Sequence, residues 1–227
     1  MQGYKVLRNN LFIKMWYHPK VIGRQKIPKS GSVIFCGNHL ESIDDKLVTC
    51  SAGRIICWEN FLNSSSEIAL SADEIAYANN GGSFGFFADN LTERYQEIKL
   101  QLNILEQMSS EISNNNSFRS CDPMTAKDIN NQELAKMQKE LEEERLKLIN
   151  LGINIDDIFV PSFSEKVISL AYETGACIVP FAIEKGTFHT TKISFGDSFF
   201  VYDQEEGMQY LNESIKKLFY QNQKHQK

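Results

Sequence analysis

His39 and Asp44 are the residues of this 227-residue chain best placed to do chemistry. They stand in Asn38-His39-Leu40-Glu41-Ser42-Ile43-Asp44, directly after the apolar run Val33-Ile34-Phe35-Cys36 and a single Gly37. The run predicts a buried strand, and a strand end in an α/β domain exposes reactive groups on a rigid scaffold. An imidazole titrates near neutrality, and a nearby carboxylate can hold its tautomer. The two together are the smallest set able to act as a general base. His39, Asp44 and Asp45 bring no third and fourth ligand at useful spacing, so no metal is assigned. His189 and His225 read as surface residues.

The elements that must position this pair follow from periodicity and turn chemistry. Residues 3–17 read as an amphipathic helix that His18-Pro19 ends, because a residue before proline is pushed out of the helical region. Val21-Ile22-Gly23 and Val33-Ile34-Phe35-Cys36 read as short strands around the turn Pro28-Lys29-Ser30-Gly31. A helix opening at Ser42 or Asp44 runs through Leu47 and Val48, which puts His39 and Asp44 around a strand-to-helix turn. Ile55-Ile56-Cys57-Trp58 is another strand. Ser64 and Glu67 have capping-box spacing and predict a helix to about Asn79, followed by the strand Phe84-Gly85-Phe86-Phe87. Farther on, a helix over 164–173, strands over 177–183 and 192–195, and a closing helix over 208–220 follow, with 221–227 frayed. Pro180 within the long strand predicts a bulge. Short apolar strands alternating with helices predict an α/β fold, its helices packed on a largely parallel or mixed central sheet.

A different texture separates the two halves. Ile98, Leu102, Leu105 and Ile112 follow heptad-like spacing, as do Leu134, Met137, Leu141 and Leu148, with a polar linker over 113–131. Each stripe is narrow and apolar and must be buried, most simply against the other. Residues 95–155 are therefore expected to be a coiled-coil-like helical hairpin inserted in a single domain spanning 1–227. It is open between structural decoration, a lid, self-association and a protein-partner surface.

Composition narrows the setting. Five cysteines without a CxxC pair favour a reduced compartment over a disulfide framework. Leu11-Phe12-Ile13 is broken at once by Lys14, so a signal peptide is not expected, and no apolar run nears the roughly 20 residues that span a bilayer. The net charge of -5 hides an asymmetry, because Lys5, Arg8, Lys14, Lys20, Arg24, Lys26 and Lys29 precede any acid. Interleaved with Tyr4, Phe12, Trp16 and Tyr17, they suit an anionic membrane surface; a helix packed on the domain with its charges in water is the other reading. The acidic remainder carries no recognition motif for nucleic acid, which is not expected as a partner.

Asn38-His39 followed by Asp44, with the run-up His18-Pro19-Lys20-Val21-Ile22-Gly23 and Ile27-Pro28-Lys29, resembles the first block of the glycerolphosphate acyltransferase superfamily. The bacterial 1-acylglycerol-3-phosphate acyltransferases are the nearest pattern. Ala171-Tyr172-Glu173-Thr174-Gly175-Ala176-Cys177-Ile178-Val179-Pro180-Phe181-Ala182-Ile183 resembles the fourth block, and Phe195-Gly196-Asp197 the strand and turn after it. The resemblance covers about 18–89 and 157–219. It departs where Glu41 replaces the family's Ser and where the second, Gly- and Arg-containing block is missing. Phe87-Ala88-Asp89-Asn90-Leu91-Thr92-Glu93-Arg94 stands where Phe-Pro-Glu-Gly-Thr-Arg is usual, and Glu165 falls in a normally basic segment.

The resemblance implies an O-acyltransferase of phospholipid biosynthesis, moving a fatty acyl group from acyl-CoA or acyl carrier protein to a lysophospholipid such as 1-acylglycerol-3-phosphate. It implies no further cofactor. His39 and Asp44 take the catalytic roles, Arg94 and then Arg54 seat the acceptor phosphate, and Asn38 and Asp89 give oxyanion or local support. Such a protein would sit in the cytoplasm, peripheral on the inner face of the cell membrane. The altered phosphate blocks leave two alternatives: a catalytically inactive interaction protein on this fold, or an acyltransferase for a non-phosphorylated acceptor.

Overall fold

Apolar runs closed by glycine or a polar turn pair into one mixed sheet in the computed structural model, which describes residues 16–17, 19–58, 70–114, 123–185 and 190–224. Its strands are β1 (Lys20–Ile22), β2 (Val33–Asn38), β3 (Ile56–Trp58), β4 (Ser83–Asn90), β5 (Pro161–Ser162), β6 (Cys177–Lys185) and β7 (Thr191–Phe195). They lie in the order β1-β7-β6-β2-β4-β3, with β5 on β4. β2 is parallel to both β4 and β6, and β3 to β4, whereas β7 runs antiparallel to β6. Among the described residues, four α-helices belong with the sheet: α1 (Asp44–Ala52), α2 (Ala72–Asn79), α5 (Glu165–Thr174) and α6 (Gln204–Lys224). The expected α/β class, helices on a mixed central sheet, is what the chain forms.

The sheet buries both faces, which is why β2 is a continuous apolar run and not an alternating one. Val33, Phe35, Val179, Phe181 and Ile183 share one core with Leu47 and Val48 of α1. The connection from β2 through α1 to β3 passes over β4, and the connection through α2 then returns to β4. Parallel crossovers are right-handed, so reversing direction puts α1 and α2 on opposite faces. α2 packs on α5, and α5 on α6.

Several boundaries differ from the sequence expectation for physical reasons. Gly37 and Asn38 continue β2, because a Cβ at 37 would overlap the ring and backbone oxygen of Phe181 on β6, and only glycine fits there. The box that caps α2 is Ser71 with Glu74, each side chain bonding the other's backbone; residues 70 and 71 are not helical, so a helix from Ser64 to Asn79 is not formed. Ser64 and Glu67 themselves lie outside the described residues, as do 3–15, His189 and His225. Pro180 falls between two pairings of β6: Phe181 pairs with Phe195 of β7, and Ile178 bridges Phe199. The missing proline N–H is thus accommodated where the partner strand steps aside. The closing helix runs to Lys224, not to 220, since Asn222 is buried and accepts a 2.8 Å hydrogen bond from Ser194.

The chain divides into two compact units, Met1–Asp89 with Pro161–Lys227, and Asn90–Val160. The second holds α3 (Glu93–Asn114) and α4 (Pro123–Asn150), which pack on each other; Ile98 and Leu102 of α3 and Leu148 of α4 are buried. α4 begins earlier than the polar composition of 123–131 suggested, with Pro123 at the first helical position that proline favours. Within this unit Asn90 Oδ1 accepts from Thr92 and Val160, tying its two ends together. No described helix is long and apolar enough to cross a membrane.

Candidate active site

Adjacent strands whose connections leave toward opposite faces open a crevice at their carboxyl ends, and β2 and β4 are such a pair. His39 is the residue immediately after β2, and Asp89 lies at the matching end of β4, where Asn38 is in register with Ala88. Alternation along the strands sends 33, 35 and 37 to the α1 face, and 39 follows them; 85, 87 and 89 do the same on β4, and 181, 183 and 185 on β6. The carboxyl edge of the sheet therefore presents His39, Asp89 and Lys185 on one face.

His39 is exposed and rests on aromatic rings. Its ring lies 4.7 Å from that of Phe87, and Phe87 in turn stacks on Trp58 at 4.5 Å. Trp58 covers Gly85, where any side chain would collide with the indole, and its Nε1 donates to Thr49 Oγ1 of α1 at 2.9 Å. Phe181 closes the cluster edge-on to both Trp58 and Phe87. The exposed imidazole thus has apolar aromatic surface beside it.

Asp44 is 2% exposed and starts α1, with Ile43 as the cap residue. Its Oδ2 accepts from the backbone N–H of Leu40 at 2.6 Å and of Glu41 at 2.8 Å. The carboxylate thereby closes the loop that carries His39. Burial pushes its pKa up, opposed by those two hydrogen bonds and by the charge of His39. Asp44 acts on the imidazole through space, not by a direct hydrogen bond. The role of Asn38 is clear from its partners: Nδ2 donates to the Ile183 carbonyl at 2.9 Å, and Oδ1 accepts from the Ile183 N–H at 2.7 Å. At 1% exposure its amide prolongs the β2–β6 pairing, so it supports the strand end from inside the sheet.

One of the two arginines expected at a phosphate, Arg54, lies at the opposite end of the sheet. Arg54 follows Gly53, the left-handed residue that ends α1, and its Nη1 donates to Gly31 O and Ser83 Oγ, both at 2.9 Å. Those partners lie at the amino ends of β2 and β4, so about 20 Å of strand separates Arg54 from His39. Arg54 is thus not a phosphate seat beside His39. Arg94 belongs to the helical unit, where its guanidinium pairs with Glu97 at 3.6 Å and with Glu140. The cation that the sheet does bring to this edge is Lys185, which pairs with Glu41. Its signal in the sequence was only its place two residues past Ile183 on an alternating strand. Beside the same turn, Tyr17, Glu41, Ser42, Ile43 and Lys46 line a cleft of about 400 Å³. Among the described residues no group of three or more His, Cys, Asp or Glu is arranged to hold a metal ion.

A solved structure shares this architecture: the 1-acyl-sn-glycerophosphate (LPA) acyltransferase PlsC from Thermotoga maritima. It matches over 94% of this chain and 77% of its own, with a TM-score of 0.50 and 14% sequence identity. The chain has the PlsC-type acyltransferase fold. Neither a family model nor a curated protein matches the sequence. At this identity the PlsC likeness establishes the fold, and chemistry has to be argued from the strand-end residues themselves.

Proposed function

We propose that this protein is an O-acyltransferase that moves a fatty acyl group from a thioester, on coenzyme A or acyl carrier protein, to the free hydroxyl of a glycerolipid, the class that includes lysophospholipids. The observation that carries this reading is the exposed His39 at the switch-point end of β2, with a buried carboxylate fixing its loop. The imidazole takes the hydroxyl proton as the oxygen attacks the thioester carbonyl. The tetrahedral intermediate then expels the thiolate, the C–S bond breaks, and the imidazolium returns the proton to sulfur, leaving an ester and a thiol. Asp44 stabilises the transient imidazolium by its charge. The basic, aromatic opening segment supports docking on the anionic inner face of the cell membrane, where the lipid acceptor lies.

His39→Ala tests this directly. Because the side chain is exposed, the melting temperature should stay within a degree or two, while thioester consumption falls about 10²- to 10⁴-fold, the range for loss of a positioned general base. Equal rates of acceptor-dependent thiol release by the two proteins would refute the reading.

A further inference from the structure

The turn that carries His39 also carries Glu41, whose carboxylate is paired with Lys185 from the end of β6 and lines the cleft together with Lys46. In the sheet unit, the turn after β2 and the first turn of α1 carry Glu41, Asp44, Asp45 and Lys46, and the ends of β4 and β6 bring Asp89 and Lys185 to the same edge. A phosphomonoester carries close to two negative charges at neutral pH and needs cations with free donors. At this edge one such cation is already held by a carboxylate of the chain. Building on the acyl-transfer reading, we propose that Glu41 acts as a built-in competitor for Lys185 and sets the acceptor as a glycerolipid without a phosphate, such as a monoacylglycerol.

The claim depends on the pair and not on the fold, so it can be tested by binding, whether or not turnover is seen. A short-chain lysophosphatidic acid and the monoacylglycerol of the same chain, both below their micelle concentrations, would be titrated calorimetrically into the full chain. The wild type should bind the monoacylglycerol more tightly. Glu41→Gln removes the competing charge and should tighten lysophosphatidic acid binding about tenfold, a gain that shrinks at high salt because the pair is exposed. Adding Lys185→Met to Glu41→Gln should abolish the gain. Tighter binding of lysophosphatidic acid by the wild type, or unchanged affinity in Glu41→Gln, would overturn the assignment. A tenfold gain without thioester consumption toward either lipid would retain the headgroup assignment and remove acyl transfer. His39-dependent transfer that favours lysophosphatidic acid would do the opposite.

Discussion

Replacing Asp44 separates two roles that one carboxylate combines. Its Oδ2 accepts two backbone N–H groups while 2% exposed, and each hydrogen bond to a charged group is worth about 1.5–3 kcal/mol net. Asp44→Ala removes both acceptors and should cost about 3–5 kcal/mol, lowering the melting temperature by roughly 6–20 °C for a domain of this size. Asp44→Asn keeps an oxygen for the two amides and removes a charge that burial disfavours, so its stability should lie within about 1 kcal/mol of wild type near neutrality. The pH dependence has a definite sign. Because the folded pKa is raised, the carboxyl contributes stability below its unfolded value, about 3.9, and loses that contribution as pH rises through the folded value. The melting temperature of Asp44→Asn relative to wild type should therefore climb from pH 4 to pH 7, read by circular dichroism. Acyl transfer should still fall in Asp44→Asn. A carboxylate charge acting at an effective dielectric near 20 is worth about 2–3 kcal/mol to an imidazolium close by, or roughly 30- to 150-fold in rate. An Asp44→Asn protein that melts as low as Asp44→Ala, or whose stability difference ignores pH, would refute this account of the loop.

Two further substitutions probe the strand beneath His39. Asn38→Ala leaves both polar groups of the Ile183 backbone unpaired in the core and should destabilise by about 2–5 kcal/mol in urea melts, with faster amide exchange at Ile183. Gly37→Ala drives a methyl into the ring and carbonyl of Phe181, an overpacking cost of about 3 kcal/mol, and should lower acyl transfer by tilting the aromatic floor under His39; a Gly37→Ala protein as stable as wild type in the same melts would refute the contact.

What the sequence made legible was local. The run Val33–Cys36 identified strand β2, though not its end two residues further on at Asn38, and the apolar stripes of 98–105 and 134–148 identified two helices that pack on each other. Capping was less legible, because two Ser-x-x-Glu boxes stand seven residues apart and both satisfy the local rule. Only the one at Ser71 is followed by the described helix α2. Lys185 and Glu41 are far apart in sequence and meet because β6 and β2 are neighbours in parallel, a fact of strand order that periodicity does not contain.

Arg54 shows why candidate cations must be sorted by topology before charge. A crossover helix begins at the carboxyl end of one parallel strand and returns the chain to the amino end of the next. Any residue just past the helix that follows the His39 turn is therefore delivered to the far edge of the sheet, and Arg54 is found there, bonded to Gly31 and Ser83. A cation that reaches His39 must instead close a parallel strand or open a crossover helix. On the face of the sheet that carries α1, Lys185 at the end of β6 and Lys46 in the first turn of α1 meet that condition among the described residues, whereas Lys166 in the first turn of α5 pairs with Glu74 on the other face. The acid between Lys185 and Lys46, Glu41, stands on the same turn as His39. On the proposed reading, acceptor choice and proton transfer would be set within three residues of one another, His39 to Glu41, on a loop whose shape Asp44 fixes.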